Sequence, residues 1–519
     1  MTKCLESPRP LRRWETKAWV EEAIWGHRFY NDQTPWLLLC ELLAICADRA
    51  RNGTSAIFPG LADGGHEDFH YRLPRRGALR HLLFRDRYLA DSESIAASDA
   101  SMWQDWLAKA KQASDFDFSY LQGRFASFDA LRNAVELLRS AEIEPQRRRR
   151  WTSRHLVPQG PDMLLADYRE TRSGSDSLDR RFFARGGELL FLMLNRSGRT
   201  AELEPLLRRR LLDANNRWNL LARQLQPAPD ARGSDKMFDT SIGYLPMADH
   251  RAYRRLAEDW CRVLRLAALP DDSRLEPLMR LSGLAVVLYL TERACEELGR
   301  PMPALPLDML SGETRALRKL SAEHLALHRQ LAREAIDHRI DSICEKPEWR
   351  TALTSGNPAR RAKELIAEIF VYDNKTGDRQ DPERQLDELR RAVFANYDNH
   401  LGLVLGFYAE QIGLAVARRG VGRWYAASDG LLEALVLANV DGPVELGQFL
   451  MRLFERYRIL VGPEAARSAF ESLPIPLEQF KLNERRFEER LRVLGLAQRL
   501  SDDCAFVINP YHASEARAA

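Results

Sequence analysis

Asn483-Glu484-Arg485-Arg486-Phe487-Glu488-Glu489-Arg490-Leu491-Arg492-Val493-Leu494-Gly495, followed by Arg499-Leu500-Ser501-Asp502-Asp503-Cys504-Ala505-Phe506-Val507-Ile508-Asn509-Pro510, is the stretch whose reading decides the fold. Phe487, Leu491 and Leu494 fall on one face of a helix that Asn483 can cap and Gly495 can stop. Ser501-Asp502-Asp503 is turn chemistry, Phe506 to Ile508 is rich in strand formers, and Pro510 closes the strand. The pattern predicts a helix over Glu484–Leu494 and then a hairpin with Ser501–Asp503 at its tip.

Working outward, Ser428 or Asp429 can cap a helix that buries Leu431, Leu432, Leu435 and Val436. Asp441-Gly442-Pro443 breaks the chain. Leu446, Phe449, Leu450, Leu453, Phe454 and Tyr457 then form a second apolar stripe. Gly462 is expected to end that helix, and Pro463 to start a short one through Phe470. Three helices and a hairpin follow the order of a winged helix-turn-helix. In a DNA-reading version, Arg485 and Arg492 point outward and Arg486 sits on the flank, where guanidinium groups grip phosphates or guanine edges. Glu489 on the same face and Asp502 and Asp503 at the wing tip oppose phosphate. A protein-docking module is the other reading, and both stay open.

The whole chain carries 77 basic and 74 acidic residues in 519, a net charge of +3. So even a balance makes no global case for nucleic acid; any basic footprint has to be local. Arginine far outnumbers lysine, which lowers the weight of any one arginine cluster. The seven cysteines (Cys4, Cys40, Cys46, Cys261, Cys295, Cys344 and Cys504) form no C-x-x-C pair. They are expected to be mostly reduced core residues of a cytoplasmic protein. Met1 to Arg13 lacks an apolar signal core, and the longest apolar runs, Trp36–Cys40 and Leu284–Leu290, are too short to span a bilayer.

Helical periodicity dominates the rest, so the expected class is mainly α, multi-domain, with a C-terminal winged-helix-like module. The expected segments are an N-terminal helical domain (1–155), a linker-rich helical segment (156–240), a central helical domain (241–425) and the module (426–519). Thr34-Pro35 opens a helix, Trp36–Cys46, that is apolar nearly all round and therefore buried. Trp14, Trp19 and Trp25 are expected to pack on it, with some aromatic surface left for an interface. Further helices are expected over Glu188–Arg196, Leu203–Leu225, Tyr253–Ala268, Leu275–Leu298, Glu313–Ile340 and Pro382–Asn396.

Few constellations suggest chemistry. Gly64-Gly65-His66-Glu67-Asp68-Phe69-His70 offers imidazole and carboxylate ligands, without an established metal spacing. His324 and His328 stand at i and i+4, but Leu325 occupies the position where a zinc metalloprotease helix needs Glu. Both patterns read best as polar surface. Asp373 to Asp378 reads as a polar turn, and Asp341, Glu345 and Lys346 lack the hairpin a nuclease site would need. No phosphate loop, nucleophile elbow or dinucleotide fingerprint is present. Arg147-Arg148-Arg149-Arg150-Trp151 is the densest positive run and a candidate phosphate-binding strip. Neither catalytic residues, a metal, a cofactor nor a small-molecule substrate are expected.

Gly26-His27-Arg28-Phe29-Tyr30-Asn31-Asp32-Gln33-Thr34-Pro35-Trp36 and Arg181-Phe182-Phe183-Ala184-Arg185-Gly186-Gly187-Glu188-Leu189-Leu190 resemble segments of large bacterial proteins encoded in anti-phage defence islands. The resemblance implies a non-catalytic subunit that works with other defence proteins, beside a methyltransferase, helicase or nuclease. The expectation is a non-enzymatic DNA-binding or scaffolding subunit. Its rivals are a metal-dependent nuclease using the His66 loop or the Asp341 region, and a transcription regulator.

Overall fold

Helices dominate the computed structural model, which describes residues 5, 18–26, 33–51, 56–61, 67, 69–91, 98–140, 154–170, 176–178, 185–228, 237–310, 314–501 and 504–512. The first part of the chain forms α1 (Glu21–Trp25), α2 (Pro35–Arg51), β1 (His70–Pro74), α3 (Gly77–Phe84), α4 (Tyr88–Asp91), α5 (Asp99–Ala113) and α6 (Phe128–Arg139). There follow β2 (Tyr168–Glu170), β3 (Asp176–Leu178), α7 (Gly186–Asn195), α8 (Thr200–Arg210), α9 (Arg217–Gln224) and β4 (Met237–Ser241). The middle contributes α10 (Arg251–Arg265), α11 (Asp271–Glu297), β5 (Leu305–Pro306), α12 (Arg315–Asp341), α13 (Pro347–Leu353), α14 (Pro358–Phe370), α15 (Pro382–Asn399), α16 (Leu401–Gln411), β6 (Ala415–Arg418) and β7 (Gly422–Tyr425). The last part is α17 (Asp429–Asn439), β8 (Val444–Glu445), α18 (Leu446–Tyr457), β9 (Ile459–Leu460), α19 (Pro463–Ala469), α20 (Leu477–Val493), β10 (Ala497–Ser501) and β11 (Cys504–Val507).

α11 is the axis of the molecule. Arg274 to Cys295 is buried on almost every side, as its lack of a polar stripe requires. α2, α10, α12, α16 and α17 pack around it. One apolar core therefore runs through all four expected segments, with Leu38, Leu190, Leu288 and Leu435 among its members. Trp25 docks on this axis, its indole N–H donating to the Leu290 carbonyl at 3.0 Å. The Trp19 ring lies against Tyr244, with centroids 5.3 Å apart and the planes tilted by 49°. Trp14 lies outside the described residues.

The two segments quoted for the defence-island resemblance meet at the start of α7. Glu41 of α2, fully buried, accepts from the Gly187 amide and from Gln33 Nε2, both at 2.7 Å. Gln33 Oε1 accepts from the Gly186 amide at 3.0 Å. A carboxylate and a side-chain amide thus satisfy N–H groups that a helix start leaves unpaired. Glycine is required here by proximity: a Cβ on Gly187 would stand 2.5 Å from Glu41 Cβ, and one on Gly186 2.5 Å from Gln33 Oε1.

Several expectations need correction. The helix expected over Leu203–Leu225 is two helices, because Asp213 and Asn216 turn their side chains onto the local backbone. Asp213 accepts from the Asn215 amide and Asn216 from the Trp218 amide, each at 2.9 Å. The helix through Leu446 ends at Tyr457 rather than Gly462, since β9 leaves it to pair in parallel with β5. The last helix begins at Leu477, and Asn483 is not its cap. Asn483 is buried in mid-helix, where it donates to the carbonyls of Leu307 and Val461 and accepts from the Met309 amide. Three backbone groups from two other segments outcompete the cap. The expected hairpin is present, pairing Ala497 with Val507 and Ser501 with Cys504, and β11 adds β8 on its other side. Asp502 and Asp503 lie outside the described residues.

Candidate docking face

α20 turns Phe480, Asn483, Phe487 and Leu491 inward. The ends of the module are held by Arg490 on Asp429 at 2.6 Å and Arg499 near Glu488 at 3.8 Å. Leu482, Arg486, Glu489 and Val493 follow each other at helical spacing along the outer face. Arg486 spends its charge on Glu489 at 2.9 Å. Arg485 and Arg492 are exposed and have no ion-pair partner among the described residues. On the hairpin, Arg499 faces Glu488 of α20, and Leu500 stands at the irregularity between Arg499 and Ser501, exposed to solvent. Val493 is 87% exposed and Leu500 69%, the two most exposed large apolar side chains among the described residues.

This module is fastened to the body by a buried polar hub. Arg456 of α18 reaches Glu258 at 2.8 Å and Asp259 at 2.5 Å, both on α10. The Tyr457 hydroxyl donates to Asp259 at 2.8 Å, and Asn439 of α17 donates to Tyr457 at 3.0 Å. Beside the hub lies a cleft of about 570 Å³ lined by Arg199, Glu202, Glu258, Arg262, Asp441 and His512. Its charges are consumed internally: Arg199 pairs with Glu202 and Glu258, and Arg262 faces Asp441.

Among the described residues, those singled out for metal chemistry are dispersed, and Asp68 lies outside them. Glu67 is buried in a two-pronged ion pair with Arg196, whose guanidinium also donates to the carbonyls of Leu245 and Met247. His70 points the other way along β1, 3.0 Å from Asp239. His66 lies outside the described residues. Asp341 is held by Arg390 at 2.6 Å, and the Asp373–Asp378 segment is the expected polar turn, with Asp378 on Lys363. No group of three or more His, Cys, Asp or Glu side chains among the described residues is placed to hold a metal ion. Arg147, Arg148, Arg149 and Arg150 lie outside the described residues. Cys40, Cys46, Cys261 and Cys295 are buried free thiols, as expected; Cys344 is exposed. No helix among the described residues is long and apolar enough to cross a membrane.

The His324–His328 pair is not the surface feature that its spacing suggested. His328 is buried, with Nδ1 2.7 Å from the Tyr425 hydroxyl, and His324 Nδ1 lies 2.8 Å from the Ala304 carbonyl. Burial pushes His328 down from 6.5 to about 3, so it stays neutral in the fold. Its contribution is intact above pH 6.5 and is lost as pH falls from there toward 3, because only the unfolded chain takes up the proton. Each pH unit in that window costs about 1.4 kcal/mol. Thermal melts should therefore show a steeper acid loss for the parent than for His328→Gln, and parallel curves would refute the assignment.

No family model matches this chain, and no curated protein or solved structure shows significant similarity to it. The reading of the docking face rests on the geometry alone. Val493 and Leu500 escaped the sequence reading, although Val493 falls two residues beyond Leu491 and so off the inward stripe.

Proposed function

We propose that this chain is a non-catalytic subunit whose C-terminal part is a winged-helix module used to dock a protein partner. Helix, short strand, two helices and a two-stranded hairpin, with the first strand pairing beside the last, support that module reading; β9 and α19 are interposed between the second helix and the third. The observation that carries the docking role is the exposure of Val493, on the helix face of an already paired Arg486, and of Leu500 on the adjoining hairpin. Exposed apolar side chains of this size gain by leaving water at an interface, whereas they offer nothing to phosphate. The partner is accordingly a protein with an apolar patch. The resemblance of the N-terminal segments to defence-island proteins makes that partner a component of the same system.

Affinity purification of the full chain from its native host tests this. A co-purifying protein should be lost with Val493→Asp/Leu500→Asp and kept with Arg485→Ala/Arg492→Ala. Arg485 and Arg492 remain the observation favouring a DNA-reading helix. If only the arginine variant loses its partner, and that partner is nucleic acid, the docking reading fails.

A further inference from the structure

Many arginines in this protein are spent on carboxylates, and the surface of the β6–β7 hairpin departs from that habit. The β6–β7 hairpin projects Arg418-Arg419-Gly420-Val421-Gly422-Arg423, all of it exposed. Gly420 and Gly422 take positive φ of 77° and 106°, which lets the tip turn tightly, and a Cβ on either would meet nothing within 4 Å. The tip stands free in solvent.

α12 supplies the other half of the surface. Ser321 Oγ accepts from the Tyr425 amide at 2.8 Å and donates to its carbonyl at 3.0 Å, which pins β7 along the helix. One turn earlier, Arg318 lies over the Trp424 ring at 5.8 Å, and Arg418 lies over the same ring at 5.7 Å. Trp424 is a buried platform that holds two guanidinium groups by cation–π attraction. Arg315 and Lys319 flank Arg318 on the outer side. Against these six cations stand two carboxylates: Glu410 on Arg423, and Glu323 at 3.7 Å from Lys319. Arg315, Arg318, Arg418 and Arg419 have no ion-pair partner among the described residues.

We infer that this hairpin and the first turns of α12 form a binding site for the phosphate backbone of duplex DNA, separate from the α20 face. Four guanidinium groups without an ion-pair partner among the described residues, two of them held by the Trp424 platform, suit a regularly spaced polyanion. A two-stranded ribbon is of a width that the major groove admits. Single strands are a poorer fit: they are held by exposed aromatic rings that stack bases, and the aromatic ring of this surface is covered. Val421, 51% exposed, is the one large apolar side chain at the tip, too little to seat a lipid surface. The site reads no base, so binding is independent of sequence. Together with the docking face, the chain would bring a partner protein to DNA.

The test is fluorescence anisotropy of the full chain with a labelled random duplex, the matching single strand, and anionic phosphatidylserine vesicles as competitor. Affinity for duplex should fall steeply between about 50 and about 200 mM salt. Arg418→Ala/Arg419→Ala should weaken binding about tenfold or more at low salt and flatten the log–log salt slope by about 2, one unit per lost phosphate contact. Arg485→Ala/Arg486→Ala/Arg492→Ala should leave it unchanged, which separates this site from the α20 face. Both tip substitutions are solvent-exposed, and an unchanged melting curve confirms folding; Arg418→Lys/Arg419→Lys should restore most of the affinity. The proposal is overturned by absence of duplex binding, by an unaffected tip variant, by preference for the single strand, or by vesicles that displace the duplex.

Discussion

Glu41→Ala is expected to destabilise the protein by about 3–5 kcal/mol, because it leaves several buried neutral donors unsatisfied at roughly 1–3 kcal/mol each. Glu41 has no solvent exposure and sits where α2 meets the first turn of α7. Besides the Gly187 amide and the Gln33 side chain, it accepts from the Arg185 amide at 3.2 Å. Those donors would keep their burial and lose their acceptor. The lost charge also faced the positive end of the α7 dipole, which adds up to about 1 kcal/mol. Glu41→Gln keeps one acceptor oxygen but turns an N–H pair toward donors, so it should cost about 1–3 kcal/mol. Gly187→Ala should behave like Glu41→Ala by another route, because its methyl would overlap Glu41 Cβ and come 2.7 Å from the Leu42 amide. Thermal and urea denaturation read all three. A Glu41→Ala variant that melts with the parent would remove the cluster from the account of how α2 and α7 are held.

Much of this fold was legible because its signals are local. The stripes through Leu446–Tyr457 and Phe487–Leu491 repeat at helical spacing, and the Ser501 turn sits between two strand-forming runs, so neither needed tertiary context. α2 also announced itself, because Trp36–Cys46 is apolar nearly all round and is buried throughout. What escaped was set by distant partners. β1 pairs with β4 across more than half the N-terminal part of the chain, and β5 pairs with β9 through only two residues each. Two-residue strands carry no alternation to read. Asn483 looked like a cap because asparagine before a helical stripe usually is one; three distant backbone groups decided otherwise.

The proposed surfaces divide in the same way. Helical phase places Arg485, Arg486 and Arg492 on the outer side of α20, and all three are exposed. Their partners were harder to foresee: Glu489 neutralises Arg486 because residues three apart share a face. The Arg418–Arg423 tip passed unnoticed because three arginines among glycines look like ordinary composition in an arginine-rich chain. Only the pairing of β6 with β7, and the lie of β7 on α12, bring Arg315 and Arg318 beside them. The loop read as polar surface differs for the opposite reason. Glu67 and His70 are close in sequence, but Glu67 enters the core to meet Arg196 while His70 follows the outward side of a strand.

Arg456→Ala is expected to cost about 3–5 kcal/mol, and the loss should be larger at neutral pH than near pH 4. Burial pushes the Asp259 carboxyl above the usual range, and the Arg456 guanidinium and the Tyr457 hydroxyl offset only part of that. Without Arg456 the carboxyl has a single donor left, so its folded pKa rises further. A carboxyl with a folded pKa above its unfolded value binds a proton more readily in the fold, and stability then declines as pH rises through that interval. The parent should show a weaker form of this trend. A double variant, Arg456→Ala/Asp259→Ala, should be less damaged than the sum of the two single variants, since both charges of the pair leave together. Costs that simply add would mean that Arg456 works through Glu258 and the α18 surface instead. The same variants bear on function, because Arg456 and Tyr457 are where α18 grips α10. Hydrogen exchange in α17 and α18 should quicken in Arg456→Ala while α11 stays protected, and partner capture through Val493 and Leu500 should weaken with it. Capture that survives a loosened α18 would show that the docking face is built by α20 and its hairpin without support from the body.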